Sequence, residues 1–147
     1  MMKVRRSLLA LHLLVGVGAI FGGLAAIIDP YSPLGMPVEA LAVSPFTTFL
    51  IPGIILFAFL GLGNIFGAAL FRSKALWACG YAGGVMGGGL AVWIVVQCLM
   101  LRAVAALHVI FFALGLTQGA LSAALLYAGG YFPFNILKRY LMRGKGK

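Results

Sequence analysis

The chain has 147 residues, of which 63% are hydrophobic and 9% are charged, and its mean hydropathy is +1.12. Soluble domains carry about 25% charged residues, so this composition excludes a water-soluble fold. The formal charge of +9 arises from basic residues at the chain ends and in one short loop. That distribution predicts orientation signals of a membrane protein and no nucleic-acid partner. At this length we expect one domain, residues 1–147.

Four apolar runs are long enough to cross a bilayer as helices. The first, residues 7–28, would rise about 33 Å, and the hydrocarbon layer is about 30 Å thick. "MKVRR" before it also fits the n-region of a cleavable signal peptide, but the run is longer than a usual h-region. No glycine or proline separates the last two runs, so Arg102 is the only charge that marks their turn. The other three runs cover about 47–71, 78–97 and 103–128.

Charge is distributed unequally between the two predicted sides of the membrane. Both acids of the chain, Asp29 and Glu39, lie in the proline-rich loop between the first two runs. The positive-inside rule assigns the side with most basic residues to the cytoplasm. We therefore predict an all-α integral membrane four-helix up-down bundle with both termini cytoplasmic. The basic residues on that side are Lys3, Arg5, Arg6, Arg72, Lys74, Lys138, Arg139, Arg143, Lys145 and Lys147.

The C-terminal segment "FPFNILKRYLMRGKGK", residues 132–147, begins where the fourth run ends. Pro133 can open a short helix with apolar residues on one side and arginines on the other. Such a helix would lie on an anionic inner leaflet, so membrane lipids are predicted partners. A frayed basic tail is the alternative interpretation.

Each run carries small residues in GxxxG spacing, which allows helix backbones to approach closely within lipid. We expect these glycines to pack helices within the chain, or to join it to a second copy or a membrane-protein partner. The predicted packing positions are Gly18, Gly22, Gly63, Gly67, Gly80, Gly84, Gly88, Gly115 and Gly119.

The few polar residues inside the runs share helix faces with glycines. Asn64 and Gln118 are predicted to form hydrogen bonds between helices. His12 is placed near the inner interface and interpreted as a packing or snorkelling residue. Pro52 is expected to kink the second helix and to free the carbonyl of Thr48.

Polar residues also converge at the predicted outer end of the helices, where they suggest a ligand-binding pocket. Asp29 and Arg102 would form its charge pair, and His108 would be its titratable element. Local structure offers an alternative for three of the polar residues there: a helix-ending turn at Asp29, a helix first turn at Glu39 and an interfacial anchor at Arg102. The candidate pocket residues are Asp29, Glu39, Gln97, Arg102 and His108.

Motifs of known chemistry are absent from the sequence, including GxSxG, the P-loop and HExxH. Cys79 and Cys98 would lie roughly 28 Å apart on one helix, so they cannot form a disulfide with each other. We therefore predict no catalytic residue, no metal site and no cofactor.

Three stretches carry a resemblance: "DPYSPLGMPVEAL", "SPFTTFLIPGIILF" and "WIVVQ". Together they resemble an uncharacterised family of small four-span bacterial inner-membrane proteins with a DP…LG.P…SPF…PG pattern. The architecture is also loosely similar to that of the DoxX-like family. The resemblance covers about residues 15–100 and implies a bacterial inner-membrane location, but no activity.

Three functions fit these observations. The leading hypothesis is a self-associating or accessory membrane subunit without enzymatic activity. A small transporter or channel with an outward-facing polar vestibule is the alternative, although carriers usually place ionisable residues near mid-membrane. A lipid- or quinone-handling membrane enzyme is the third.

Overall fold

The computed structural model describes residues 2–73 and 75–136, and this part of the chain is all-helical, without a strand. Each of its four long helices is apolar and long enough to cross a membrane, which makes the chain a multi-pass membrane protein. The helices are α1 (Met2–Ile28), α2 (Leu50–Leu70), α3 (Leu76–Leu101) and α4 (Ala106–Gly129).

The helix ends differ from the predicted ones most at the N-terminus. α1 begins at Met2, five residues before the predicted run, so Lys3, Arg5 and Arg6 lie on its first turns. Helical backbone extends through charged residues because long basic side chains reach water from a helix end. The turn between α3 and α4 lies where Arg102 indicated, since α3 ends at Leu101 and Arg102 has a left-handed backbone (φ 45°).

The prediction that Pro52 kinks the second helix is wrong in position. α2 begins at Leu50, so Pro52 falls in its first turn, where the missing N–H has no intrahelical partner to lose. Thr48 lies before the helix, and its carbonyl is therefore not freed from it. The irregular part of α2 is instead a π-helical segment, Leu56–Leu62.

α1 and α2 pack closely and run in opposite directions. A Cβ added at Gly23 would lie 2.6 Å from Phe57 N, and one at Gly61 would lie 2.8 Å from Ile20 Cγ1. Further along α2, a Cβ at Gly67 would lie 2.5 Å from His12 Cε1. The contacts therefore move towards the start of α1 as they move towards the end of α2, which makes the two helices antiparallel. Glycine at these positions lets the two backbones approach closely.

α3 and α4 form a second antiparallel pair with the same kind of contact. A Cβ at Gly87 would lie 2.6 Å from Gly119 N, and one at Gly115 would lie 2.9 Å from Gly87 O. Towards the start of α3, Gly80 faces Leu126. Backbone therefore meets backbone near the middle of this pair, which only residues without a side chain permit.

The predicted packing glycines divide into three groups by what an added Cβ would meet. At Gly63, Gly67, Gly80 and Gly115 an added Cβ would lie within 3.0 Å of another helix of the chain. Gly18, Gly22 and Gly84 leave 3.2–3.4 Å to the nearest atom. Gly88 and Gly119 face open space.

Three buried clusters lie along the helices. The middle cluster includes Val15, Leu60 and Trp93. A second, at the end where α1 and α3 begin, includes Leu8, Phe71 and Cys79. At the opposite end, here called the loop end, Leu41 from the α1–α2 loop packs with Ala26, Phe49 and Met100. The loop thus covers the ends of three helices.

Two further predictions concern the cysteines and the C-terminal segment. Cys79 and Cys98 are both free, on the same helix, as the spacing predicted. The predicted interfacial helix falls mostly on residues 137–147, which lie outside the described residues, as does Lys74.

Candidate functional site

A buried polar cluster lies inside the helices, formed by His12 of α1, Asn64 of α2 and Gln118 of α4. All three side chains are 0% exposed. His12 lies three residues from Val15, the middle residue of α1, and Gln118 lies at the middle of α4. Of the two roles predicted for His12, packing is confirmed and snorkelling is wrong, because its ring is fully buried between the helices.

Short contacts join the three side chains. His12 Nδ1 lies 2.8 Å from Asn64 Oδ1, and Gln118 Nε2 lies 2.9 Å from the same oxygen. Asn64 Nδ2 donates to the carbonyl of Leu60, at 2.7 Å. The predicted interhelical hydrogen bonding of Asn64 and Gln118 is thus confirmed. Asn64 is the centre of the cluster, because its carbonyl oxygen faces both other residues.

Hydrogen-bond chemistry selects one tautomer of His12. The amide nitrogen of Asn64 donates to Leu60, so its Oδ1 faces the imidazole and can only accept. His12 Nδ1 must therefore carry the proton and donate it. Gln118 Nε2, 3.1 Å from that nitrogen, donates to Asn64 Oδ1 instead. The other imidazole nitrogen, Nε2, then presents a bare lone pair.

Two acceptor atoms of the cluster are buried without a partner in the described part of the chain: His12 Nε2 and Gln118 Oε1. Buried polar atoms are almost always hydrogen-bonded, since leaving one unpaired costs about 1–3 kcal/mol. The indole N–H of Trp93, in the middle apolar cluster, is a third buried group without a partner there. The unpaired atoms of the cluster are both acceptors, so what they lack is a donor.

The surroundings hold the imidazole of His12 in place. One side faces Gly67, where even a methyl group would collide with the ring. Phe71 meets it edge to face, with ring centroids 5.8 Å apart.

Arg5 donates to the carbonyls of Phe71 and Ser73, at 2.5 and 2.9 Å, and so ties the start of α1 to the end of α2. One turn along α4, Ser122 donates to the carbonyl of Gly80.

The two acids at the loop end take local structural positions. The carboxylate of Asp29 accepts from the backbone N–H groups of Tyr31 and Ser32, at 3.3 and 3.0 Å, which forms a turn after α1. Glu39 is exposed in the first turn of the 3₁₀ helix Val38–Leu41. Both positions match the local alternatives derived from the sequence.

The other three candidate pocket residues also stand apart. Arg102 is exposed at the end of α3, and Gln97 is half-buried one turn earlier. His108 Nδ1 accepts the backbone N–H of Ala105, at 3.0 Å, and so caps the start of α4. Among residues 2–73 and 75–136, no hydrogen bond or ion pair joins any two of the five candidates.

The predicted Asp29–Arg102 ion pair is therefore wrong. Backbone amides already satisfy the carboxylate, and Arg102 leaves its helix in a left-handed turn, exposed. That the five loop-end residues bind a ligand stays a prediction.

Sequence reasoning missed that His12, Asn64 and Gln118 meet at one point. Each was already placed on a glycine-bearing face, which indicates burial. The missing step was depth: in antiparallel helices, positions at equal distance from the same end come together. His12 is ten residues from Met2, and Gln118 is eleven from Gly129.

No protein-family model matches the chain, and neither a curated protein nor a solved structure is similar to it. Its function must therefore be argued from its own residues.

Proposed function

We propose that the protein is a self-associating subunit of a bacterial inner membrane, joined to further copies of itself or to a membrane-protein partner. Its four helices cross in up-down order with both termini cytoplasmic. The antiparallel contacts of α1 with α2 and of α3 with α4 support the order. Lys3, Arg6 and Arg72 lie at one end of the helices, which supports the orientation. The resemblance in the first loop supports the bacterial location.

One observation carries the proposal: Gly88 and Gly119 face open space, on the two helices that form the glycine-lined pair. Towards the loop end, the same surface continues into a shallow apolar groove of about 250 Å³. We call this surface the open face; it consists of Gly88, Gly119, Ala91, Val92, Val95, Val96 and Phe112.

The open face has the properties of a helix-docking surface within lipid. Lipid tails are as apolar as leucine, so helices associate in a membrane through close packing and not through the hydrophobic effect. A glycine that faces lipid leaves its backbone accessible, and a second helix can approach it more closely than lipid chains pack. Gly87 and Gly115 are not available for this role, because an added Cβ at either would meet the facing helix. The backbone N of Gly119 contacts Gly87, but a Cβ added at Gly119 itself would meet nothing.

Substitution of the open-face glycines tests the proposal. Gly88→Leu and Gly119→Leu should each shift the protein towards monomer in native mass spectrometry from its own membrane. Val17→Leu, an exposed position on α1, is the matched control and should leave the distribution unchanged. Gly84→Leu is less suitable, because its Cβ would lie 3.2 Å from Ser122 Oγ and disturb the fold. A monomeric wild type, or unchanged assembly in both variants, would contradict the proposal.

The buried polar cluster favours a second candidate, a small transporter or channel. Ionisable residues within membrane spans commonly mark ion or substrate pathways, and His12 lies close to the middle of α1. Purified protein in liposomes should then support solute-dependent flux, which His12→Leu abolishes and His108→Leu preserves. Absence of flux for a panel of ions and small solutes would leave self-association as the proposed function.

A further inference from the structure

The buried cluster of His12, Asn64 and Gln118 has an excess of acceptors over donors. In the Nδ1–H tautomer, His12 Nδ1 and Gln118 Nε2 both donate to the same acceptor, Asn64 Oδ1. His12 Nε2 and Gln118 Oε1 remain as two buried acceptors without a partner in the described residues. Each lies two bonds from one of two nitrogens that are 3.1 Å apart, His12 Nδ1 and Gln118 Nε2, so both acceptors belong to the same cluster.

The chemistry of these two acceptors limits which ion or molecule can bind them. A divalent metal ion is disfavoured, because one imidazole nitrogen and amide oxygens form a poor ligand set and no group of metal ligands occurs among the described residues. A charged donor would lack a counter-ion: the chain has only two acids, and both are exposed in the α1–α2 loop. Arg5, two turns earlier on the same face of α1, would repel it. A small neutral donor fits.

We propose that the cluster binds an internal water molecule, which donates its two hydrogens to His12 Nε2 and Gln118 Oε1. Water has two donors for two acceptors, and buried waters in proteins typically make two to four hydrogen bonds to groups that are otherwise unsatisfied. The cluster is thereby a hydrated site within the membrane-spanning helices. The bound water gives the imidazole a partner for proton exchange, which a dry cluster lacks. The proposal does not depend on self-association.

Magic-angle-spinning NMR of ¹⁵N-histidine-labelled protein in lipid bilayers tests the site. The chain has two histidines, and the His108→Gln variant leaves His12 as the only labelled ring. We expect the Nδ1–H tautomer, with magnetisation transferred from water to His12 Nε2. A ring protonated at Nε2 in the wild type, or the absence of transfer from water, overturns the proposal.

Two variants assign the ligands. Gln118→Leu removes one acceptor and should abolish transfer from water, whereas Gln97→Leu, the matched control at the other glutamine, should preserve it. Asn64→Leu removes the oxygen that selects the tautomer, so Nδ1 should accept from Gln118 and the proton should move to Nε2. Transfer that persists in Gln118→Leu would contradict the role of Gln118. A tautomer unchanged in Asn64→Leu would contradict the hydrogen-bond arrangement from which the acceptors were derived.

Discussion

The polar residues at the loop end and those of the buried cluster satisfy their hydrogen bonds in different ways. At the loop end, Asp29 and His108 each bond to backbone within three residues of themselves. In the buried cluster, the bonds of His12 and Gln118 cross between helices 50 or more residues apart in sequence. The polar residues at the loop end can therefore form their hydrogen bonds with nearby backbone, whereas those inside the spans can form them only when the helices pack together.

The largest expected effect comes from steric pressure on the buried cluster. Gly67→Ala places a methyl group against the His12 ring, which is buried and has no room to move. Gly88→Ala makes the same chemical change in open space. The free energy of unfolding should be about 1–3 kcal/mol lower for Gly67→Ala than for Gly88→Ala, because overpacking a core costs about that much.

Equilibrium unfolding in mixed SDS and mild-detergent micelles, followed by tryptophan fluorescence, measures this difference. Comparing the two alanine variants cancels the intrinsic helix preference of alanine over glycine. Equal stability would mean that the His12 ring is free to leave its position, against the packing described above.

A smaller effect should appear as energetic coupling between two residues. In a double-mutant cycle, His12→Leu and Asn64→Leu should be coupled by about 0.6 kcal/mol and by no more than about 1.7 kcal/mol, the average and the maximum for hydrogen bonds inside a membrane protein. Asp29→Asn and Arg102→Gln should be additive within about 0.3–0.5 kcal/mol, because the two side chains do not touch. Stronger coupling at the loop end than in the cluster would reverse the comparison and restore the ion pair.

The smallest expected effect is that of Asp29→Asn alone. Asparagine keeps an oxygen that accepts from the N–H groups of Tyr31 and Ser32, so stability should change by less than about 0.5 kcal/mol. Asp29→Ala removes the acceptor and should cost about 0.5–1.5 kcal/mol. Thermal unfolding of both variants gives the comparison. If asparagine is as damaging as alanine, the negative charge matters and the turn does not explain Asp29.

Much of the fold follows from the sequence, because apolar runs report helices directly. Four runs predicted four helices, and Arg102 correctly indicated the turn between α3 and α4. Local polar structure was also accessible: the turn at Asp29 follows from a short side chain next to its own backbone. The errors occurred at positions where hydropathy does not report helix boundaries. α1 extends through its charged first turns because long basic side chains do not interrupt a helix, and Pro52 lies in a first turn, where proline is tolerated.

The sequence by itself determined the class of protein, the number of helices and which residues share a face of a helix. Only the tertiary structure decided that His12, Asn64 and Gln118 meet. It also decided that an added Cβ would meet nothing at Gly88 and Gly119 but would meet the facing helix at Gly87 and Gly115. The physical reason is that hydropathy and helical period depend on neighbours along the chain. Depth in the membrane and rotation about the helix axis depend instead on where each helix begins and on how it packs against the others.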